Sequence, residues 1–402
     1  MLRAVKLPRD TSEYDLLVIG NGAIGMATAI EHARRNPGAR TAVVAPAGRS
    51  RSASSAAGLM LNAFAELEPG QLEDPGGRAR FQLARRAIAR WPTWLDELAE
   101  IAEIQPPHIR PGTVVLGANQ DGAMKAIQHA LLAEKEPHVQ IDPADVPGYS
   151  PLSSCRAESA IYLPREGGIP AEEVITLLDK TADALSIQRI DGKARTLVPS
   201  EGGCAMRMEN ERVIHGRSVL LAAGAWSSAL INSIPELADS CPRVQFGIGR
   251  AYRVRHEDNS VRPRTVLRLP NQPSGGGYHL VPFDNNTAYV GASNHCATHP
   301  DHDDERSAFP LADVADRLRR ELLNATIQPI LGHRPISTDG MPLLGRTRIG
   351  SVLIATGTRR DGFTTAPAIA KNLIDELLEG EPRFDHVFKP DRCGAAGVAS
   401  IA

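Results

Sequence analysis

The sequence predicts an α/β (α+β) fold: a parallel sheet assembled from separated segments, with a second domain built on an antiparallel sheet inserted between them. Three observations predict it. Near the start, the apolar run "LLVIG" stops at glycines and resumes at helical spacing as "AIGMATAI". Short continuous apolar runs, the mark of buried parallel strands, recur near residues 16, 41, 218 and 351. Alternating runs separated by Asn, Gly and Pro, the mark of antiparallel strands, cluster between about 240 and 300.

Taken in order, residues 1–14 read as a loosely held arm and residues 16–20 as a buried strand. Residues 24–35 read as a helix, with Ile24, Ala27, Ile30 and Ala33 on one face and "NPG" ending it. "TAVVAP" is the next strand, which completes a βαβ unit. "RFQLARRAIARWPTWLDELAEI" predicts an amphipathic helix interrupted at Pro92. "GTVVLGA" reads as a strand, "AEEVITLLDKTADAL" as a helix, and "GRSVLLAAGAW" as a buried strand running into a glycine turn. "GIGRAYRVR", "TVLRLP", "YHLVPF" and "TAYVGA" predict the antiparallel sheet, and "FPLADVADRLRRELLNA" a helix. "SVLIATG" is a third buried strand, followed by the helix "APAIAKNLIDELLEG" and a flexible tail. On this reading, 1–80, 151–235 and 326–390 form the nucleotide-binding domain, 81–150 and 236–325 the substrate domain, and 391–402 the tail.

Composition narrows the function. The 402 residues are 42% hydrophobic and 23% charged, an ordinary globular balance. A net charge of -2 and the lack of a Lys/Arg block exclude nucleic acid and anionic membranes as expected partners. No apolar run reaches the roughly 20 residues of a bilayer span. The start has no apolar core of a secretory signal. Cys155, Cys204, Cys241, Cys296 and Cys393 are odd in number and far apart, which fits a reduced cytoplasm better than a disulfide framework. A homo-oligomer stays open.

The glycine loop is a phosphate-binding pattern. Gly20 allows a sharp turn, Gly22 lets backbone approach a pyrophosphate, and Gly25 lets the helix pack on the strand. Ala23 and Ile24 open the helix, whose N-terminus offers N–H donors and partial positive charge. This makes the domain Rossmann-like. The pattern also expects an acid at the end of the second strand for the adenosine ribose, but Ala45 and Pro46 stand there. Arg49 and Arg51 lie close by and suit a 2′-phosphate, so an NADP-linked reductase remains open at this point.

Three further stretches decide. They are "RSRSASSAAGLMLNA" at 49–63, "SVLLAAGAWS" at 218–227, and "GHRPISTDGMPLLG" followed by "VLIATGTRRDGFTTAP" at 332–367. With the glycine loop, they make the chain resemble the FAD-dependent D-amino-acid oxidase superfamily, most closely its glycine oxidase and sarcosine oxidase branch. The resemblance runs nearly the whole length, though 65–150 matches only as helix then strand.

The resemblance implies FAD, with Ser52, Ala53, Ser54, Ala57, Gly58 and Leu59 beside the flavin and diphosphate. It implies Ala223, Gly224 and Trp226 near the adenosine half. It implies flavin contacts from Gly357, Thr358, Arg360, Asp361, Gly362, Phe363 and Thr364. Covalent relatives need a cysteine near Gly332; none stands there, so the expected FAD is non-covalent.

The implied reaction oxidises the C–N bond of an amino acid or secondary amine bearing a carboxylate. Hydride passes to flavin N5, the imine is hydrolysed, and electrons go to O₂ or another acceptor. Arg334 is the implied carboxylate anchor, Arg360 lines the site, and Arg359 is expected outside. Aligned on "LVP", His279 holds a slot where relatives carry tyrosine, with Tyr278 just before it. Strand neighbours face opposite ways, so one of the two can point at the flavin, and His279 is preferred. Thr358 stands where many relatives carry histidine, which keeps a 2-hydroxy acid or a larger biosynthetic intermediate open as substrate. "NHCATHPDHDDE" fits no metal-ligand spacing and reads as a solvated loop, so no metal is expected.

Overall fold

The computed structural model describes residues 13–256, 263–271, 277–284, 286–300 and 309–393. Among the described residues, one sheet has eight strands. Its parallel centre runs Val352–Thr356, Val213–Leu221, Glu13–Ile19, Thr41–Ala45, Gln188–Asp191. The apolar runs are continuous because both faces are covered. Leu16, Val18 and Val43 face one core with Met26, Ile30, Ile369 and Leu373 of the helices Ala23–Arg35 and Gly362–Glu379. Their neighbours Leu17, Ile19, Ala42 and Val44 face a second core with Met206, Ile214 and Leu221. Tyr14 is buried in the first strand, so the expected arm ends earlier than residue 14. Residues 1–12 and 394–402 of the expected arm and tail lie outside the described residues.

The second sheet has ten strands among the described residues. Val244–Arg255 pairs antiparallel along its whole length with Thr326–Ser337. Arg110–Gly117 pairs antiparallel with Ser159–Gly168 and parallel with Val266–Arg268. By hydrogen bonding, Ser159–Gly168 and Thr326–Ser337 join this sheet, whereas the sequence places them with the nucleotide-binding segments. Backbone pairing over twelve residues outweighs the position of Thr326–Ser337 next to the cofactor motif.

Two predicted helices differ. Pro75–Ala102 runs unbroken through Pro92. Pro92 lies on the exposed face, while Trp91, Trp94 and Leu95 are buried, and Trp91 Nε1 donates to the Thr364 carbonyl at 2.7 Å. Packing of that face offsets the hydrogen bond the proline cannot make. The helix expected over 309–325 stops after Leu311–Arg317 and gives way to the 3₁₀ turn Arg320–Asn324. There Ser150 takes the backbone partners: its N–H donates to the Leu318 carbonyl at 3.1 Å, and its carbonyl accepts from Arg320 at 2.9 Å.

No helix among the described residues is long and apolar enough to cross a membrane. All five cysteines are free thiols.

Candidate active site

A cavity of about 700 Å³ runs from the glycine loop to the second sheet. Its first end is made of turns. Gly20 has φ of 118°, and a Cβ there would stand 2.3 Å from the Ala222 carbonyl oxygen. A Cβ on Gly25 would stand 2.0 Å from the Gly20 oxygen. Gly25 therefore packs the helix on the strand and does not itself line the cavity. Gly20, Gly22, Ala23 and Ile24 do line it, and the Ala23 N–H donates to Ser54 Oγ at 3.0 Å.

Ser52, Ala53, Ser54, Ala57, Gly58 and Leu59 form the adjoining wall. Ala45, Pro46, Ala223, Gly224 and Trp226 also line it; Trp226 meets Phe246 and His333 edge-on. Thr358, Asp361, Gly362, Phe363 and Thr364 supply the wall at the start of the helix Gly362–Glu379. Gly357 does not line the cavity; with φ of 72° it turns the chain there. A cradle of small residues onto which the start of the helix Ala23–Arg35 opens fits a dinucleotide.

Where the ribose-binding acid is missing, Lys193 and Glu209 reach the cavity, an addition the sequence reading lacked. They face each other at the open end of the hairpin Ala194–Ser200 and Gly203–Met208, sixteen residues apart, so no local spacing marks them. Arg49 is committed elsewhere. It pairs with both Asp179 oxygens, at 2.8 and 2.6 Å, and donates Nε to the Asn21 carbonyl at 2.7 Å. That removes the main support for an NADP-linked reading.

The second end is made of long side chains. Arg334 donates to the Ser293 carbonyl at 2.8 Å and to Asn294 Oδ1 at 3.2 Å, and the Tyr289 hydroxyl lies beside it. Gly249 makes room for it, since a Cβ there would stand 2.4 Å from Nη1. Burial pushes the Arg334 pKa down and that of Tyr289 up.

Tyr289 stacks on His279, ring centres 5.6 Å apart and planes within 13°. Gly58 leaves space for the tyrosine ring. His279 Nδ1 lies 3.0 Å from the Gly277 carbonyl, which can only accept, so this nitrogen carries the proton and Nε2 keeps its lone pair. Burial and then Arg268 push the His279 pKa down to about 4, which keeps the ring neutral at pH 7.

Tyr278 faces the other way. Its ring packs on Phe309 and its hydroxyl donates to Asp313 Oδ2 at 2.6 Å, so strand alternation removes it from the site. Arg359, expected outside, lines the cavity because φ of 54° turns it inward at the strand end.

Glu66, Arg268 and Asn271 complete this end, and the sequence reading found none of them. Glu66 stands on one segment and Arg268 and Asn271 on another about 200 residues later, without a spacing signal. Burial would raise the Glu66 pKa, but the Arg268 and Arg360 guanidiniums hold it well below the carboxylate range. Glu166, beneath them, accepts from the Ala63, Phe64 and Ala65 N–H groups at 2.7, 2.6 and 3.3 Å and so fixes the loop that presents Glu66. Burial nonetheless pushes its pKa up to about 7.

In the loop at 294–305, read as solvated, residues 301–305 lie outside the described residues. Among the described residues, no group of three His, Cys, Asp or Glu could hold a metal ion.

The model of the FAD dependent oxidoreductase family matches residues 15–376. The chain is 24% identical over 378 residues to the Bifunctional protein ThiO/ThiG of Trichormus variabilis, covering 92% of this chain and 54% of that protein. It thus spans about half the length of that relative. It is 24% identical over 381 residues to a glycine oxidase of Geobacillus kaustophilus, covering 93% of this chain and 96% of the relative. Among solved structures, the crystal structure of glycine oxidase from Geobacillus kaustophilus matches with a TM-score of 0.78 at 22% identity, covering 95% and 99% of the two chains.

Proposed function

Because the chain belongs to the family of FAD-dependent oxidoreductases, we propose that it oxidises the carbon–nitrogen bond of an amino acid or secondary amine held by its carboxylate. The observation that supports this most is Arg334. It points into the cavity, and among the described residues no carboxylate pairs with it. A planar guanidinium placed this way binds a carboxylate through two charge-assisted bonds.

Bound FAD supplies a hydride acceptor at the flavin N5. The small-residue wall at 20–24 and 52–59 would hold the diphosphate and the flavin. The first turn of the helix Gly362–Glu379 also lines the cavity and would favour negative charge on the reduced flavin. Arg334, steadied by Tyr289, fixes the substrate carboxylate and thereby the carbon that gives up hydride. Neutral His279 presents Nε2 as an acceptor for the substrate nitrogen. The resulting imine needs only water to hydrolyse, and the electrons pass on to O₂ or another acceptor.

The test is to mix the anaerobic yellow protein with amino acids, N-methyl amino acids and 2-hydroxy acids and watch the flavin bleach. Bleaching by a carboxylate-bearing amine supports the reading. Bleaching by 2-hydroxy acids alone would replace it.

A further inference from the structure

The substrate end holds more cationic groups than one carboxylate needs. Arg268, Arg334 and Arg360 all line it. Two of these are already matched. Arg268, with a side chain only 1% exposed, reaches Glu66 Oε1 through Nη1 and Asn271 Oδ1 through Nη2 at 2.9 Å. Arg360 lies 3.7 Å from Glu66 Oε2 and 2.9 Å from Glu68 Oε1, and donates to Asn271 Oδ1 at 3.2 Å. Asn271 closes the set by donating Nδ2 to Glu66 Oε2 at 3.1 Å. Arg359 also lines the cavity, with Arg80, Arg360, Glu68 and Asp361 as its charged neighbours.

Arg334 is the exception: among the described residues it donates to a carbonyl and an amide oxygen, and no carboxylate pairs with it. One bound carboxylate therefore matches Arg334. A second would meet the Glu66 carboxylate, while all three nitrogens of Arg268 and both terminal nitrogens of Arg360 already have a partner. Like charges brought together away from water repel strongly.

We propose that Glu66 is a specificity-determining residue: by neutralising Arg268, while Glu68 pairs with Arg360, it restricts the site to amines that carry a single carboxylate. This rests on the reading of Arg334 as carboxylate anchor. Removing the Glu66 charge leaves the buried Arg268 short of an anion, and a second substrate carboxylate can then supply it.

The holoenzyme is assayed with sarcosine and iminodiacetate, secondary amines with one and two carboxylates. Acetate and malonate, which are not oxidised, give binding constants from perturbation of the flavin spectrum. Wild type should prefer the monocarboxylate of each pair. Glu66→Gln should move both preferences toward the dicarboxylate by about tenfold or more. The double variant E66Q/R268Q removes one anion and one cation together, so both preferences should return to the wild-type values.

Three outcomes overturn the proposal: wild type binding malonate as well as acetate, Glu66→Gln leaving the ratios unmoved, or the double variant keeping the single variant's ratios. If Glu66→Gln fails to fold, Arg268→Gln decides: with Glu66 left unmatched both ratios should move further toward the monocarboxylate, and unmoved ratios overturn the proposal. If wild type binds neither acetate nor malonate, the anchoring role of Arg334 falls, and this proposal with it.

Discussion

The two ends of the cavity are built of different materials. The end proposed for the cofactor is backbone and small side chains, such as Gly20, Gly22, Ala53, Ser54 and Gly58, taken from short turns. The end proposed for the substrate is long charged and aromatic side chains, Glu66, Arg268, His279, Tyr289, Arg334 and Arg360, brought together from separate stretches. The first kind of wall fails when an atom is added, and the second when one is taken away.

The strongest way to break this contrast is to add an atom. We expect Gly25→Val, which would press a side chain against the Gly20 carbonyl, to cost more than about 3 kcal/mol and to yield protein without flavin. The ratio of flavin to protein absorbance reports it; full flavin content would show that the loop tolerates filling.

Removing an atom at the other end should spare the flavin. Arg334→Met should lower kcat/KM for a carboxylate-bearing amine by about a thousandfold, near 4 kcal/mol. Flavin content should stay at the wild-type level. An unchanged KM would exclude Arg334 as anchor.

Glu166 ties the two ends through the loop at 63–65, and its effect should be on stability. Its folded pKa of about 7 lies above the ordinary 4.5, so the native state holds a proton that the unfolded chain releases. That contribution is fully present below about pH 4.5 and lost as the pH rises through about 7, on the order of 3 kcal/mol. In Glu166→Gln the decline of the urea midpoint across this window should flatten. An equally steep decline in the variant would assign the dependence to other groups.

The smallest effect should come from Tyr289→Phe, which removes one hydroxyl from Arg334. KM should rise about tenfold, with the flavin spectrum unchanged. A loss of flavin here would blur the line between the two ends.

The same contrast explains what could be read in advance. The glycine loop and the wall at 52–59 are local, so spacing and residue size announce them. Arg334 and Arg360 were reached through motifs, and strand alternation separated His279 from Tyr278. Tyr289, Glu66, Arg268 and Asn271 carry no such mark. They converge only through pairing such as Arg268 with His279 and His279 with Gly291, and those registers depend on the whole sheet. The unbroken helix at Pro92 and the early stop at Arg317 have the same origin. Tertiary partners far along the chain decided them.

The order of the parallel strands also governs when the protein can work during its synthesis. Glu13–Ile19 lies beside Val213–Leu221, and that strand lies beside Val352–Thr356. A nascent chain that has not yet exposed residues 352–356 leaves the sheet open at Val219, Leu220 and Leu221 and lacks the turn at 358–364. Such distant pairings form late and leave apolar edges waiting. Flavin capture by ribosome-bound chains of graded length should begin only once that last strand has emerged, so a premature stop anywhere upstream yields a colourless, aggregation-prone product.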